Sequence, residues 1–234
     1  MTETKIMLLG CNNVGKTSIV TRFVCNKFTK VYEPTLDEPE IISVTVDGDI
    51  YLLELLDVAN CEELSAYREH NIHISDGFIV VYSITNSSSF YQVTHFIETI
   101  YRIFDKESSE RIPMVLCGNK CDMECNRIVT TKEGRKLAEE LNILFYEVSA
   151  KNNINIKEVV NDLLREVNKH KNDVNTTKLH CDTNKYKNKS LNNIIFYILF
   201  KRKSSITFKT NMSGRFKCEQ FNKSTIYQAN CILY

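Results

Sequence analysis

Short unbroken apolar runs alternate with longer amphipathic stretches along this chain, and that alternation predicts its elements. Lys5-Ile6-Met7-Leu8-Leu9, Phe78-Ile79-Val80-Val81-Tyr82, Met114-Val115-Leu116-Cys117-Gly118 and Leu144-Phe145-Tyr146-Glu147-Val148 read as parallel strands. A strand covered on both faces has no need to alternate apolar with polar. Ile41–Val46 and Tyr51–Leu56 flank Asp47-Gly48, a pair that tolerates the positive φ angles of a tight hairpin turn. Helices are expected over Ser18–Cys25, Ser88–Phe104, Thr131–Leu141 and Asn155–Asn168. The last of these sets Ile156, Val159, Val160, Leu163, Leu164 and Val167 on one stripe. Strands alternating with helices predict an α/β fold: a doubly wound, six-stranded, mostly parallel sheet with one antiparallel edge strand and helices on both faces.

The first strand runs into Gly10-Cys11-Asn12-Asn13-Val14-Gly15-Lys16-Thr17, a complete Gly-x-x-x-x-Gly-Lys-[Ser/Thr] phosphate loop that opens a helix. A strand, a tight turn and a helix N-terminus together aim backbone N–H groups and the positive end of the helix dipole at one point. Lys16 supplies a cation for β- and γ-phosphates, and the Thr17 hydroxyl can ligate Mg²⁺.

Two later strings name the base. Asn119-Lys120-Cys121-Asp122 follows the third parallel run, and Ser149-Ala150-Lys151 follows the fourth. Ligands of open α/β sheets bind beyond the carboxyl ends of the strands, so all three loops are expected on one edge. Asp122 can only accept hydrogen bonds, and guanine offers two adjacent donors, N1–H and the exocyclic amine. Adenine would leave the carboxylate unpaired, at a cost of about 1–3 kcal/mol. With these motifs the chain resembles a small GTPase of the Ras/Rap branch over roughly residues 1–168. The resemblance implies GTP/GDP and Mg²⁺ as ligands. It places Asn13, Val14, Gly15, Lys16, Thr17 and Ser18 around the phosphates. It gives Asn119, Lys120, Ser149, Ala150 and Lys151 to recognition of base and ribose beside Asp122, and Phe28 to the ring edge.

Tyr32-Glu33-Pro34-Thr35 resembles the family's first switch segment. Thr35 there reaches Mg²⁺ by its hydroxyl and the γ-phosphate by its N–H, with Tyr32 and Pro34 alongside, so loss of the phosphate becomes a conformational change. Asp57 stands where the family places its Mg²⁺-organising carboxylate, making Thr17, Thr35 and Asp57 the metal set and Lys16 with Thr35 the catalytic one. The second switch departs from the pattern: Asp-x-Ala-Gly-Gln reads Asp57-Val58-Ala59-Asn60-Cys61. Cys61 replaces the Gln that orients the attacking water, and a thiol is a weak donor and a weak acceptor. Asn60 keeps an N–H for the γ-phosphate but turns less freely than Gly. Asn12 replaces the Gly of the closest Ras relatives, where an arginine finger would enter. The expected function is a GTP/GDP-dependent switch in signal transduction with weakened hydrolysis. The alternative is a hydrolysis-deficient binding module that stays loaded with GTP.

Charge divides the 234 residues in two. Residues 1–168 hold 17 Lys/Arg against 26 Asp/Glu, net −9, and residues 169–234 hold 13 against 3, net +10. This predicts an acidic GTP-binding domain followed by a basic tail, the tail mostly without regular structure because it shows no sustained period. Its apolar run Ile194–Phe200 is too short to cross a bilayer. Cys231-Ile232-Leu233-Tyr234 has the outline of a prenylation box, although Tyr is an unusual final residue. Nine cysteines and no signal-peptide pattern suggest a reduced, cytoplasmic setting, with the cytoplasmic face of the plasma membrane as a place of work. Cys117, Cys121 and Cys125 recur at equal spacing, but a strand, a base loop and a position beyond it are a poor metal cage. The expected partners are effectors at residues 32–40, an exchange factor, a GTPase-activating protein and a membrane surface met by the tail, with no nucleic acid.

Overall fold

The four apolar runs read as parallel strands all become strands, and period two then decides which side chain faces which helix layer. The computed structural model describes residues 2–29, 39–58, 65–105, 111–187, 206–210 and 216–220. Strands β1 (Thr2–Leu9), β2 (Glu40–Val46), β3 (Asp49–Asp57), β4 (Gly77–Ser83), β5 (Met114–Asn119) and β6 (Leu144–Val148) form one sheet in the order β2-β3-β1-β4-β5-β6. Only the β2–β3 pair is antiparallel, as expected of the hairpin. Its turn places Asp47 at φ 53° and Gly48 at φ 92°, the two positive angles that suit a right-twisted two-residue connection. The Arg165 guanidinium forks onto both Asp47 carboxylate oxygens at 2.7 Å and ties this turn to the last helix.

Helices α1 (Lys16–Cys25) and α6 (Ile156–Lys187) lie on one face of the sheet; α2 (Ser65–Ile74), α4 (Val93–Ile103) and α5 (Thr131–Glu140) lie on the other. Ile6 and Leu8 join Ile19, Val20, Val160 and Leu163 in the first core; Met7 and Leu9 join Ile72, Phe96, Ile97 and Ala138 in the second. All seven residues of β4 are buried, which accounts for its unbroken apolar run. The N-terminus of α5 is closed by a capping box in which the Thr130 hydroxyl accepts from the Glu133 N–H and the Glu133 carboxylate accepts from the Thr130 N–H.

Two helical expectations need correction, and one helix forms where none was expected. The single helix expected over Ser88–Phe104 is two, α3 (Ser87–Tyr91) and α4, joined at Gln92. The Asn86 side chain caps the short first piece by accepting from the Ser89 N–H. Helix α2 was not foreseen, because Ile72 alone among its apolar residues is fully covered and no stripe results. Helix α6 does not stop at Asn168 but runs to Lys187. No Pro or Gly lies between Ile156 and Lys187 to end it, and propagation adds a backbone bond for each residue fixed. The chain divides into two compact units, Met1–Val174 and Asn175–Tyr234. The second contains the end of α6 and a hairpin of β7 (Ile206–Thr210) and β8 (Phe216–Gln220).

Candidate functional site

Parallel strands place their carboxyl ends on one edge, and the three expected loops leave from there. The turn after β1 is built on two glycines. Gly10 has φ 150°, and a Cβ on it would overlap the Val81 carbonyl and lie 3.2 Å from Val14 Cγ2. Gly15, at φ 97°, is the N-cap of α1 and offers no side chain to its amides. The first turn of α1 holds no acidic residue. The N–H groups at Lys16, Thr17 and Ser18 therefore form an electropositive end without a carboxylate of its own, the setting in which a phosphate binds.

Lys16 is 8% exposed, and its Nζ donates to the carbonyls of Gly10 at 3.0 Å and Cys11 at 3.2 Å. Burial holds its pKa below the usual lysine value, and the Asp57 carboxylate works in the opposite direction. Nζ is thus held at the phosphate loop by two of the loop's own carbonyls, with the Asp57 carboxylate favouring its charged form. Asp57 ends β3 at 6% exposure, on the sheet edge where the phosphate loop lies. A buried carboxylate together with the Thr17 hydroxyl is a hard oxygen donor set and fits Mg²⁺. The Cys11 thiol donates to Gln92 Oε1 at 3.1 Å and links the loop to the α3–α4 junction.

The loops after β5 and β6 are stitched to the loop after β1 and to each other. Asn119 Nδ2 donates to the Val14 carbonyl at 2.8 Å, and Lys120 Nζ donates to the Asn13 carbonyl at 2.7 Å. The Ala150 N–H donates to Asn119 Oδ1 at 3.4 Å, and the Cys121 N–H to the Val148 carbonyl at 3.1 Å. Ser149 is fully buried, and its hydroxyl donates to Asp122 Oδ1 at 2.6 Å while accepting from the Asn152 N–H at 3.0 Å. Lys151 Nζ lies 3.6 Å from the other Asp122 oxygen. Asp122 is thus an oriented acceptor, 8% exposed at its side chain, between the loops that follow β5 and β6. Burial lowers the pKa of Lys120, which Asp122 partly offsets. Phe28, half-buried, packs against the α1–α6 core just beyond α1.

Comparison with known proteins agrees with this geometry. The family described as the Ras family matches residues 5–169. The Ras-like protein rasZ of Dictyostelium discoideum is 40% identical over 163 residues, covering 70% of this chain and 75% of that protein. The Ras-like protein rasW of the same organism is 40% identical over 182 residues, covering 78% and 82% respectively. The chain belongs to the Ras family. Members of the Ras family are in general GTP-dependent switches that bind GTP and GDP, use Mg²⁺, hydrolyse GTP and work with effectors, exchange factors and GTPase-activating proteins.

Of the Ras-family positions read from the sequence, Asn13 to Ser18, Phe28, Asp57, Asn119, Lys120, Asp122 and Ser149 to Lys151 are described, and most of them touch one another as set out above. Tyr32, Pro34, Thr35, Asn60, Cys61 and Cys231 lie outside the described residues. The three evenly spaced cysteines part company: Cys117 is buried in β5, Cys121 is half-buried in the base loop and Cys125 is exposed. Among the described residues no helix is long and apolar enough to cross a membrane.

Two groups that brace the Ras-family site escaped sequence reasoning. Arg127 donates to both Glu147 oxygens at 2.6 and 3.1 Å and to Glu124, joining the chain after the base loop to the strand that delivers Ser149. Arg22 of α1 donates to carbonyls of the Ser149–Lys151 loop. Neither sits in a motif, and the partners that tie them to the site, Glu147 for Arg127 and Ala150 and Lys151 for Arg22, are distant in the chain.

Proposed function

We propose that this protein is a guanine-selective switch whose hydrolytic half is weakened. The observation that carries the guanine reading is the Ser149–Asp122–Lys151 arrangement, which presents an oriented, largely buried carboxylate on the loop whose Asn119 and Lys120 bond the phosphate loop. In this reading Lys16 and the α1 N-terminus hold the phosphates, Asp122 accepts from the two guanine donors, and Asn119 fixes the base loop to Val14. Thr17, Asp57 and Thr35 are the residues that would hold Mg²⁺, which when bound neutralises charge on the β- and γ-phosphate oxygens. Thr35 also reports the γ-phosphate through its N–H, and the segment 32–40 presents that state to effectors.

Weak hydrolysis rests on Asn60 and Cys61, since neither orients a water as a glycine-hinged glutamine does. The same two residues favour a second reading, a binding module that remains loaded with GTP. Nucleotide content of the freshly purified protein separates the two: mostly GDP supports cycling and mostly GTP supports the loaded module. Absence of any guanine nucleotide from protein purified with Mg²⁺, together with no GTP binding on titration, would end both.

The tail gives the switch a place. Lys201-Arg202-Lys203, Lys209, Arg215 and Lys217 follow the apolar run Ile194–Phe200 in the sequence, and these basic residues would be the second signal that a single prenyl group on Cys231 needs. The body's net −9 is repelled by an anionic leaflet, so the tail acts as a tether at the cytoplasmic face.

A further inference from the structure

We infer that Arg22 is a positioning residue for guanine recognition and sets how slowly the nucleotide leaves. The inference deepens the guanine reading above and rests on it. Arg22 lies in the last turn of α1, half-buried. Its Nε donates to the Ala150 carbonyl at 2.7 Å and its Nη2 to the Lys151 carbonyl at 2.9 Å. Its Nη1 donates to the Asn26 carbonyl at 2.9 Å. One edge of the planar guanidinium thus takes two successive carbonyls of the base loop, while the other edge takes the residue that ends the helix. Asn26 answers by donating its N–H to the Arg22 carbonyl at 3.0 Å from a left-handed conformation, φ 53°. A lysine has no such fork and could serve one of these carbonyls well, not three.

The consequence follows from what these carbonyls flank. Ala150 is 3% exposed, and its N–H, the group that meets the base in the guanine reading, precedes the carbonyl that Arg22 holds. On its other side the loop is fixed by Ser149, which pairs with Ile154 through both backbone groups and with Asp122 through its hydroxyl. Ala150 is therefore clamped between two anchors, and Arg22 is the one supplied from the phosphate-loop helix. The same guanidinium ends the helix two residues before Phe28, so one side chain orients both the base loop and the approach to the ring edge. The rest of the chain that brackets the base reaches this loop through acceptors, the Asp122 carboxylate at Ser149 and the Asn119 amide oxygen at Ala150. Arg22 alone among the described residues brings a cation to both of these loop carbonyls.

Displacement of bound mant-GDP and mant-IDP by excess GDP, followed by stopped-flow fluorescence, tests this in the full chain. Arg22→Gln should speed release of both nucleotides about tenfold or more, the effect of losing a charge-assisted bond that holds the recognising amide. Arg22→Lys, which retains the charge and one donor, should fall between wild type and Arg22→Gln. IDP lacks the amine that Asp122 reads but keeps the oxygen that an Ala150 N–H would meet. The ratio of IDP to GDP release rates should therefore stay within about twofold of wild type in both variants. Unchanged release in both variants overturns the role of Arg22 alone. A ratio that collapses to one overturns it as well, since Arg22 would then be holding the fold at large, Asp122 included. A wild type that holds neither nucleotide overturns the guanine reading and takes this proposal with it.

Discussion

Replacing Asp122 by Asn changes one oxygen for an NH₂ group and almost no volume, which makes it the sharpest test of base choice. In the structure one Asp122 oxygen accepts the Ser149 hydroxyl at 2.6 Å and the other faces Lys151 Nζ at 3.6 Å. A carboxylate can serve these neighbours and two guanine donors together, because it carries about four acceptor positions. The amide keeps one acceptor oxygen and aims N–H groups at donors. The variant loses at least one charge-assisted bond to guanine, worth about 1.5–3 kcal/mol, so GTP should bind roughly tenfold to more than a hundredfold more weakly. Xanthine carries a carbonyl where guanine carries the amine, and Asn can donate to it, so XTP should gain by a similar factor. Competition of GTP, XTP and ATP against mant-GDP measures all three. A variant with the wild-type GTP-to-XTP ratio, or a wild type that takes ATP as tightly as GTP, would refute the reasoning.

Single-turnover hydrolysis of GTP by the wild type should run at or below about 10⁻⁴ s⁻¹; Cys61→Gln should raise it in part, and Asn60→Gly with Cys61→Gln should raise it further. A wild-type rate well above that range removes Asn60 and Cys61 from the account. Edge strand β2 begins at Glu40, directly after Pro39, which has no N–H to give an added strand. Pro39→Ser should strengthen titrated binding of a Ras-binding domain, and equal affinities would count against the edge. Membrane fractionation should lose part of its signal in Cys231→Ser and part when Lys201, Arg202 and Lys203 are neutralised; a wild type that stays in solution at low salt contradicts both signals. Glu133 has its pKa drawn below the ordinary 4.5 by the Thr130 hydroxyl and then its N–H. Its stabilisation is present above that value and lost as pH falls through the depressed one. The melting-temperature gap between wild type and Glu133→Gln should therefore close on acidification, and a gap independent of pH would argue against the capping box.

What could be read from the chain alone was whatever short-range order encodes. Four apolar runs mark strands because burial on both faces tolerates little else, and Asp47-Gly48 marks its hairpin because two positive φ angles admit few residues. The phosphate-loop motif and the Asn119–Asp122 string were legible for the same reason, since each sits in a few consecutive residues at the end of a strand. Tertiary structure decided what depends on distant partners. Arg22 and Ala150 lie 128 positions apart, and Arg127 and Glu147 lie 20 apart with a whole helix between them. A guanidinium carries no trace in its own neighbourhood of which carbonyls it will meet. Only when the parallel sheet brings the ends of β1, β5 and β6 to one edge do these side chains become parts of one site, since that edge is where their loops are forced to meet.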